Sequence, residues 1–258
     1  MKSGIKLYLP IIGALLLSAC TVSPNSFIVP QAKQHIKSTD VFIEVGQQEI
    51  IAEIDRSQVA VAGGGGLLLA LIDVAIDNSR ANDAEELIVP IRDALIDVDF
   101  AAEFNANLAG ELTKFPWLNV NHIDLKREVE PYSVAQHYKQ TEADAVLVVN
   151  AGYALSADFS TLKGQANILL LPKAEKLRQY AEDPTSNDAR KIPWHIDNNL
   201  SRDRVVTQTR IEKTTQDKEF NSQIISSKPA QLISRVKLLA KQLAQQVGYS
   251  LAKQREKN

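Results

Sequence analysis

Residues 143–151 read Ala-Asp-Ala-Val-Leu-Val-Val-Asn-Ala. The stretch is nearly all apolar, does not alternate, and is too short for a typical helix. Such a run predicts a central strand covered on both faces. Just upstream, Ser133 to Thr141 has the character of a short helix, so the strand is entered from a helix. Downstream, Ala166-Asn167-Ile168-Leu169-Leu170-Leu171 repeats the pattern, and the short Ala157-Asp158-Phe159-Ser160 turn predicts a hairpin between the two strands. A covered strand, a preceding helix and a hairpin together describe a mixed sheet with helices packed on it.

Working outward, Val41–Val45 and Glu49–Ile54 read as two strands about a turn at Gly46-Gln47-Gln48. A helix is predicted from Asn82, with Leu87, Ile91 and Leu95 at helical spacing and Pro90 taken as a tolerated first-turn proline. Asp99 is placed to cap a second helix, whose Phe100, Phe104, Leu108 and Leu112 form an i, i+4 stripe ended by Pro116. Leu118 to Lys126 reads as a strand. Glu182 to about Arg204 is polar and proline-bearing, a long surface loop, and Val205 to Ile211 alternates like an edge strand. Pro229 opens a final helix with Leu232, Val236, Leu239, Leu243 and Val247 buried. The expected class is α+β, or a three-layer α/β arrangement, in a single domain over residues 40–258. The step from the Ser133 helix into Ala143–Val148 resembles a pattern in TolB amino-terminal, curli-secretion CsgG and LpoB-type α/β domains. That resemblance covers about 20 residues and implies an α/β domain of the same kind.

The amino terminus carries a different signal. Lys2 and Lys6 precede an apolar run from Leu7 to Leu17, followed by Ser18, Ala19 and Cys20. This is the plan of a secretory signal peptide over residues 1–19. The apolar run is about a dozen residues, short of the roughly 20 needed to span a bilayer, and Pro10 interrupts it. Leu17-Ser18-Ala19-Cys20 resembles the lipobox of bacterial lipoproteins. The resemblance implies cleavage between Ala19 and Cys20, a diacylglycerol on the Cys20 thiol, and an N-acyl chain such as palmitate on the new amine. Two or three acyl chains anchor stably where one does not. Thr21 follows in place of the aspartate that marks inner-membrane retention in enteric bacteria. In a Gram-negative cell the class rule therefore implies the outer membrane, with the domain facing the periplasm. Residues 20–39, with Pro24, Pro30 and many polar side chains, read as a lipid-anchored flexible tether.

Cys20 is the only cysteine, so the domain folds without an intramolecular disulfide. Removal of residues 1–19 leaves 27 basic against 31 acidic side chains, a net charge of −4. That balance argues against a general nucleic-acid binder.

Candidate chemistry is sparse. Gly63, Gly64, Gly65 and Gly66 precede an apolar run ending near Ile76, but no Lys or hydroxyl follows at phosphate-loop spacing. A glycine run of this kind allows close backbone approach, which suits a membrane or oligomer contact, and equally a break before a buried helix. His35, His122, His137 and His195 show no metal-ligand spacing. His122-Ile123-Asp124 and His195-Ile196-Asp197 put a carboxylate two residues from an imidazole, an arrangement also common on surfaces. No G-x-S-x-G is present. Trp194 interrupts the polar loop and is a candidate partner anchor, or is tucked onto the core. From Lys228 onward the chain is basic, as for an anionic surface or a solvated helix face. The leading expectation is a non-enzymatic, lipid-anchored envelope protein that binds another envelope protein or joins an assembly. It needs no metal and no cofactor beyond the covalent lipid. The competing expectations are an oligomeric membrane-inserting component using Gly63–Ile76 and a periplasmic hydrolase.

Overall fold

The computed structural model describes residues 25–53, 78–130, 133–182, 198–211, 215 and 217–254. Among these, the chain runs α1 (Pro30–Lys33), β1 (Thr39–Glu44), β2 (Ile51–Ala52), α2 (Asn78–Ala94), α3 (Phe100–Leu112), a single 3-10 turn (Pro116–Leu118), β3 (Val120–Lys126), α4 (Ser133–Gln140), β4 (Ala145–Leu155), β5 (Thr161–Pro172), α5 (Glu175–Arg178), β6 (Ser201–Arg210), α6 (Lys218–Ser226) and α7 (Pro229–Ala252). The strands form one mixed sheet in the order β3-β1-β4-β5-β6, with β2 beside β4. β1 is parallel to both β3 and β4, whereas β4, β5 and β6 form an antiparallel meander. The class is α+β with a mixed sheet.

The central run does what its composition demands. Every residue of β4 except Asn150 is buried. One face of the sheet presents Val41, Ile43, Leu147, Val149, Ile168 and Leu170 to the main core, which α2, α3 and α7 complete with Ile88, Phe104, Leu108, Val236 and Leu239. Gly164 lets α7 lie close, since a Cβ there would sit 3.3 Å from Leu239 Cγ. The opposite face has a smaller cluster of Phe42, Val146, Val148, Leu169 and Leu171 beneath Val134 and Tyr138 of α4.

The Asp99 cap forms as expected, with its carboxylate accepting from Ala102 N–H at 3.0 Å. All of Phe100, Phe104, Leu108 and Leu112 are buried. Three expectations are corrected. The Glu49–Ile54 segment is not half of a hairpin: among its described residues only Ile51–Ala52 is strand, and it runs parallel to β4 beyond the end of β1. Gln47 fills the gap between them by mimicking a peptide group. Its amide donates to the Tyr153 carbonyl at 2.6 Å and accepts from the Tyr153 N–H at 3.0 Å. Pro90 lies in the interior of α2, not its first turn, on a stretch where Val89 and Pro90 are exposed. There the carbonyl that loses a partner can reach water.

The third correction concerns the tether. The stretch read as tether extends to residue 39, but Ser26 to Ser38 packs on the domain. Ile28, Ala32 and Ile36, four residues apart among polar neighbours, are buried. Ser26 exchanges two backbone hydrogen bonds with Arg202, at 2.9 and 2.8 Å. Asn119 Nδ2 donates to the Ile36 carbonyl, and the Lys37 N–H donates to Asp144. Burying three apolar side chains outweighs the local polarity that suggested a free linker.

Candidate functional site

The most concentrated polar chemistry lies on the α4 face of the sheet. There the register aligns Lys126, Glu44, Asn150, Asn167 and Arg204 in one row across five strands. Alternation places all five on the face opposite the main core. At the centre, Glu44 Oε1 lies 2.9 Å from His137 Nε2, with both side chains buried. Asn150 Nδ2 donates to the other carboxylate oxygen at 3.2 Å, and the Ser133 side chain adds a further hydrogen bond. The His137 ring stacks flat on Phe42, with centroids 4.0 Å apart.

Burial by itself would raise the Glu44 pKa. The bonds from His137, Ser133 and Asn150, with the attraction of His137, outweigh it and hold the carboxyl below its ordinary range. An ionised carboxylate only accepts, so His137 Nε2 is the donor. His137 Nδ1 is buried and has no hydrogen-bond partner. A carboxylate orienting an imidazole has the form of a general-base pair. Here the free nitrogen is sealed from solvent, so the pair meets no substrate in this conformation. What the arrangement does is fasten α4 to β1.

A second concave region sits at the carboxyl ends of β1 and β3, where open α/β sheets commonly take ligands. The cleft, about 380 Å³, is lined by Gln47, Gln48, Ile96, Asp99, Phe100 and Arg127 among others. Arg127 grips Asp99 through two bonds of 2.9 and 2.6 Å. Those bonds hold the Asp99 carboxyl below its usual range against the opposing effect of burial, with help from the Ala102 and Ala101 N–H groups. Nearby, Tyr153 is buried against Phe100, with centroids 4.2 Å apart. Burial, and the negative charges of Glu49 and Asp99, push its hydroxyl up to about 12. Since Arg127 and Asp99 satisfy each other, the charge that the lining leaves over is the exposed Asp97 carboxylate.

The residues singled out from sequence are distributed unevenly. Ala19, Cys20, Gly63, Gly64, Gly65, Gly66, Trp194 and His195 lie outside the described residues. His122 is exposed on β3, and its neighbour Asp124 pairs with Lys126 instead. His137, which shows no informative spacing in sequence, is the buried and paired histidine among the described residues. The sequence holds no hint of this, because Glu44 is 93 residues away. Of the basic carboxyl-terminal residues, Lys237 pairs with Glu103 and Lys253 with the buried Asp203. Among the described residues no three His, Cys, Asp or Glu side chains converge as a metal site. No helix among them is long and apolar enough to cross a membrane. No family model matches the chain, and no curated protein sequence matches it.

Proposed function

We propose that this chain is a lipid-anchored component of the bacterial cell envelope whose domain works by binding other envelope proteins rather than by catalysis. The observation that carries the reading is the Leu17–Cys20 lipobox placed directly before a folded domain. Ser26 is already bonded to the sheet, so five residues separate it from Cys20. Fully extended, that stretch spans at most about 20 Å. The domain would then sit against the bilayer surface, with its β6 edge on the side of the anchor. Thr21 favours the outer membrane, with the domain in the periplasm. The absence of an accessible base at the His137–Glu44 pair fits a binding role.

The test is intact mass and membrane fractionation of wild type beside Cys20→Ala. The expected wild type begins at Cys20, carries acyl chains and pellets with membrane, and the variant does neither. A soluble wild type of unmodified mass would overturn the anchor. In-cell cross-linking that repeatedly returned no protein partner would overturn the binding role.

One observation favours a second reading, an oligomeric membrane-inserting component. The segment holding Gly63–Ile76 follows Glu53, whose N–H bonds the Leu155 carbonyl. Through the register, that point lies seven residues along β4 from the level of Ser26, or about 23 Å. Such a segment is rooted away from the anchor and could engage a separate structure. Deleting residues 63–76 with no change in assembly size or membrane extraction would end this reading.

A further inference from the structure

We infer that two copies of this chain pair through the outer edges of their β3 strands, antiparallel about Ile123, so that one sheet continues into the other. The inference goes beyond the binding role proposed above and rests neither on that role nor on the lipid.

The backbone leaves this edge open. β3 ends the sheet on the side opposite β6, the strand to which Ser26 is bonded. Val45 donates its N–H to the Lys126 carbonyl at 2.9 Å, and the parallel register sets Glu44 beside Lys126. The peptide groups of Asp124 and Lys126 therefore face β1, and alternation turns the N–H and C=O of Ile123 and Leu125 outward. Among the described residues no strand lies on that side, and neither Ile123 nor Leu125 has a further hydrogen-bond partner. Exposure agrees, since Val120, Asn121 and His122 are exposed and no residue of β3 is buried. The strand also lacks the usual protections of an edge. It holds no proline, and its lysine, Lys126, is its last residue and is paired with Asp124. The one shift of register against β1 falls at Thr39 and Asp40, before the level of Ile123.

The side chains select a second copy. Ile123 is the midpoint of the seven-residue strand Val120–Lys126, so antiparallel pairing about it overlaps the whole strand with itself. Ile123 then meets Ile123 of the second copy through reciprocal N–H···O=C bonds. His122 falls opposite Asp124 of the second copy, and the two-fold axis repeats that contact. These are positions without backbone bonds between them, where facing side chains come closest. His122 is exposed with no partner of its own among the described residues, and Asp124 is half-buried beside Lys126. A neutral imidazole donates to the carboxylate, and a protonated one adds opposite charge. The neighbouring two-fold registers that use the same outward groups set His122 on His122 or Asp124 on Asp124. Like then faces like, which disfavours both. On the α3 side of the edge a groove of about 280 Å³, lined by Leu112, Phe115, Pro116, Val120 and Ile123 among others, adds apolar surface beside the joined strands. The axis stands normal to the sheet, so both copies turn the same face the same way and one bilayer can hold both.

The test uses the full mature chain, residues 20–258, carrying Cys20→Ala. Sedimentation equilibrium is expected to show a reversible dimer with Kd on the order of 50 μM. His122→Glu sets two like-charged contacts across the axis and is expected to weaken the dimer at least about tenfold, whereas His122→Lys keeps it. Register is read by disulfide formation. A mixture of His122→Cys and Asp124→Cys chains puts the two thiols directly opposite, within bridging reach, and leaves one His122–Asp124 contact intact. That mixture is expected to link at least about ten times faster than either chain alone, whose thiols lie diagonally across the axis. A chain still monomeric at about ten times the expected Kd overturns the inference. So does a dimer unchanged by His122→Glu, or a mixture that links no faster than its components. None of these outcomes touches the lipid anchor or the partners cross-linked in cells, so the two readings fail separately.

Discussion

The two faces of the sheet are built on different principles. The face under α3 and α7 is a continuous apolar core, closed by Phe104, Leu108, Leu239 and Leu243. The face under α4 has a six-residue apolar cluster bordered by the polar row through the buried Glu44 and the half-buried Asn150. The first face supplies stabilisation that hardly depends on the identity of its partners, because burial of apolar area is non-directional. The second supplies position. An eight-residue helix cannot bury enough area to fix its own placement, and His137 bonded to Glu44 fixes it instead. A buried pair of this kind is weak evidence for net stability, and its retention is better explained by specificity.

That difference can be broken experimentally, first where the effect is largest. Phe104→Ala opens a cavity on the main face and is expected to cost about 3–5 kcal/mol in denaturant unfolding. If the loss stays under about 1 kcal/mol, the main face is not the stability core. Glu44→Ala is expected to cost about 3 kcal/mol by stranding the buried His137 and the half-buried Asn150 amide, whereas Glu44→Leu combined with His137→Phe recovers most of the loss. A double variant no better than the single one would show that the pair contributes net stability after all.

Acid sharpens the same contrast at smaller amplitude. Glu44 has its carboxyl held low in the folded chain. Its contribution is therefore complete above the ordinary carboxylate range and is lost as pH falls through the folded value. Melting temperatures from about pH 6 to about pH 3 should fall less steeply for Glu44→Gln, which has no proton to take up there. Parallel curves for variant and wild type would remove Glu44 from the acid response. The smallest effect is expected at the cap. Asp99→Ala loses one helix-capping bond on the main face and the exposed Arg127 contact, about 1 kcal/mol together. A loss several times larger would mean that Arg127 and Asp99 hold the carboxyl-end cleft together.

Much of this architecture is legible in the sequence wherever one segment suffices to reveal it. The β4 run, the β4–β5 hairpin, the Asp99-capped stripe and the Pro229 helix are each written in local periodicity. The misread places share a cause. Ile28, Ala32 and Ile36 are three apolar residues among many polar ones, and their burial depends on the main core that distant segments build for them. Gln47 replaces a strand's peptide group only because Tyr153, 106 residues later, is presented to it. The His137–Glu44 pair is invisible for the same reason.

What the amino-acid order alone determines is therefore the run of elements, because each is encoded in neighbours a few residues apart, as is the resemblance of Leu17–Cys20 to a lipobox. The tertiary structure alone decides that His137 is buried against Glu44, that Gln47 completes the sheet beside Tyr153, and that Ile28, Ala32 and Ile36 pack into the core. Each of these depends on contacts between distant segments, and such contacts exist only after the apolar runs have chosen their partners.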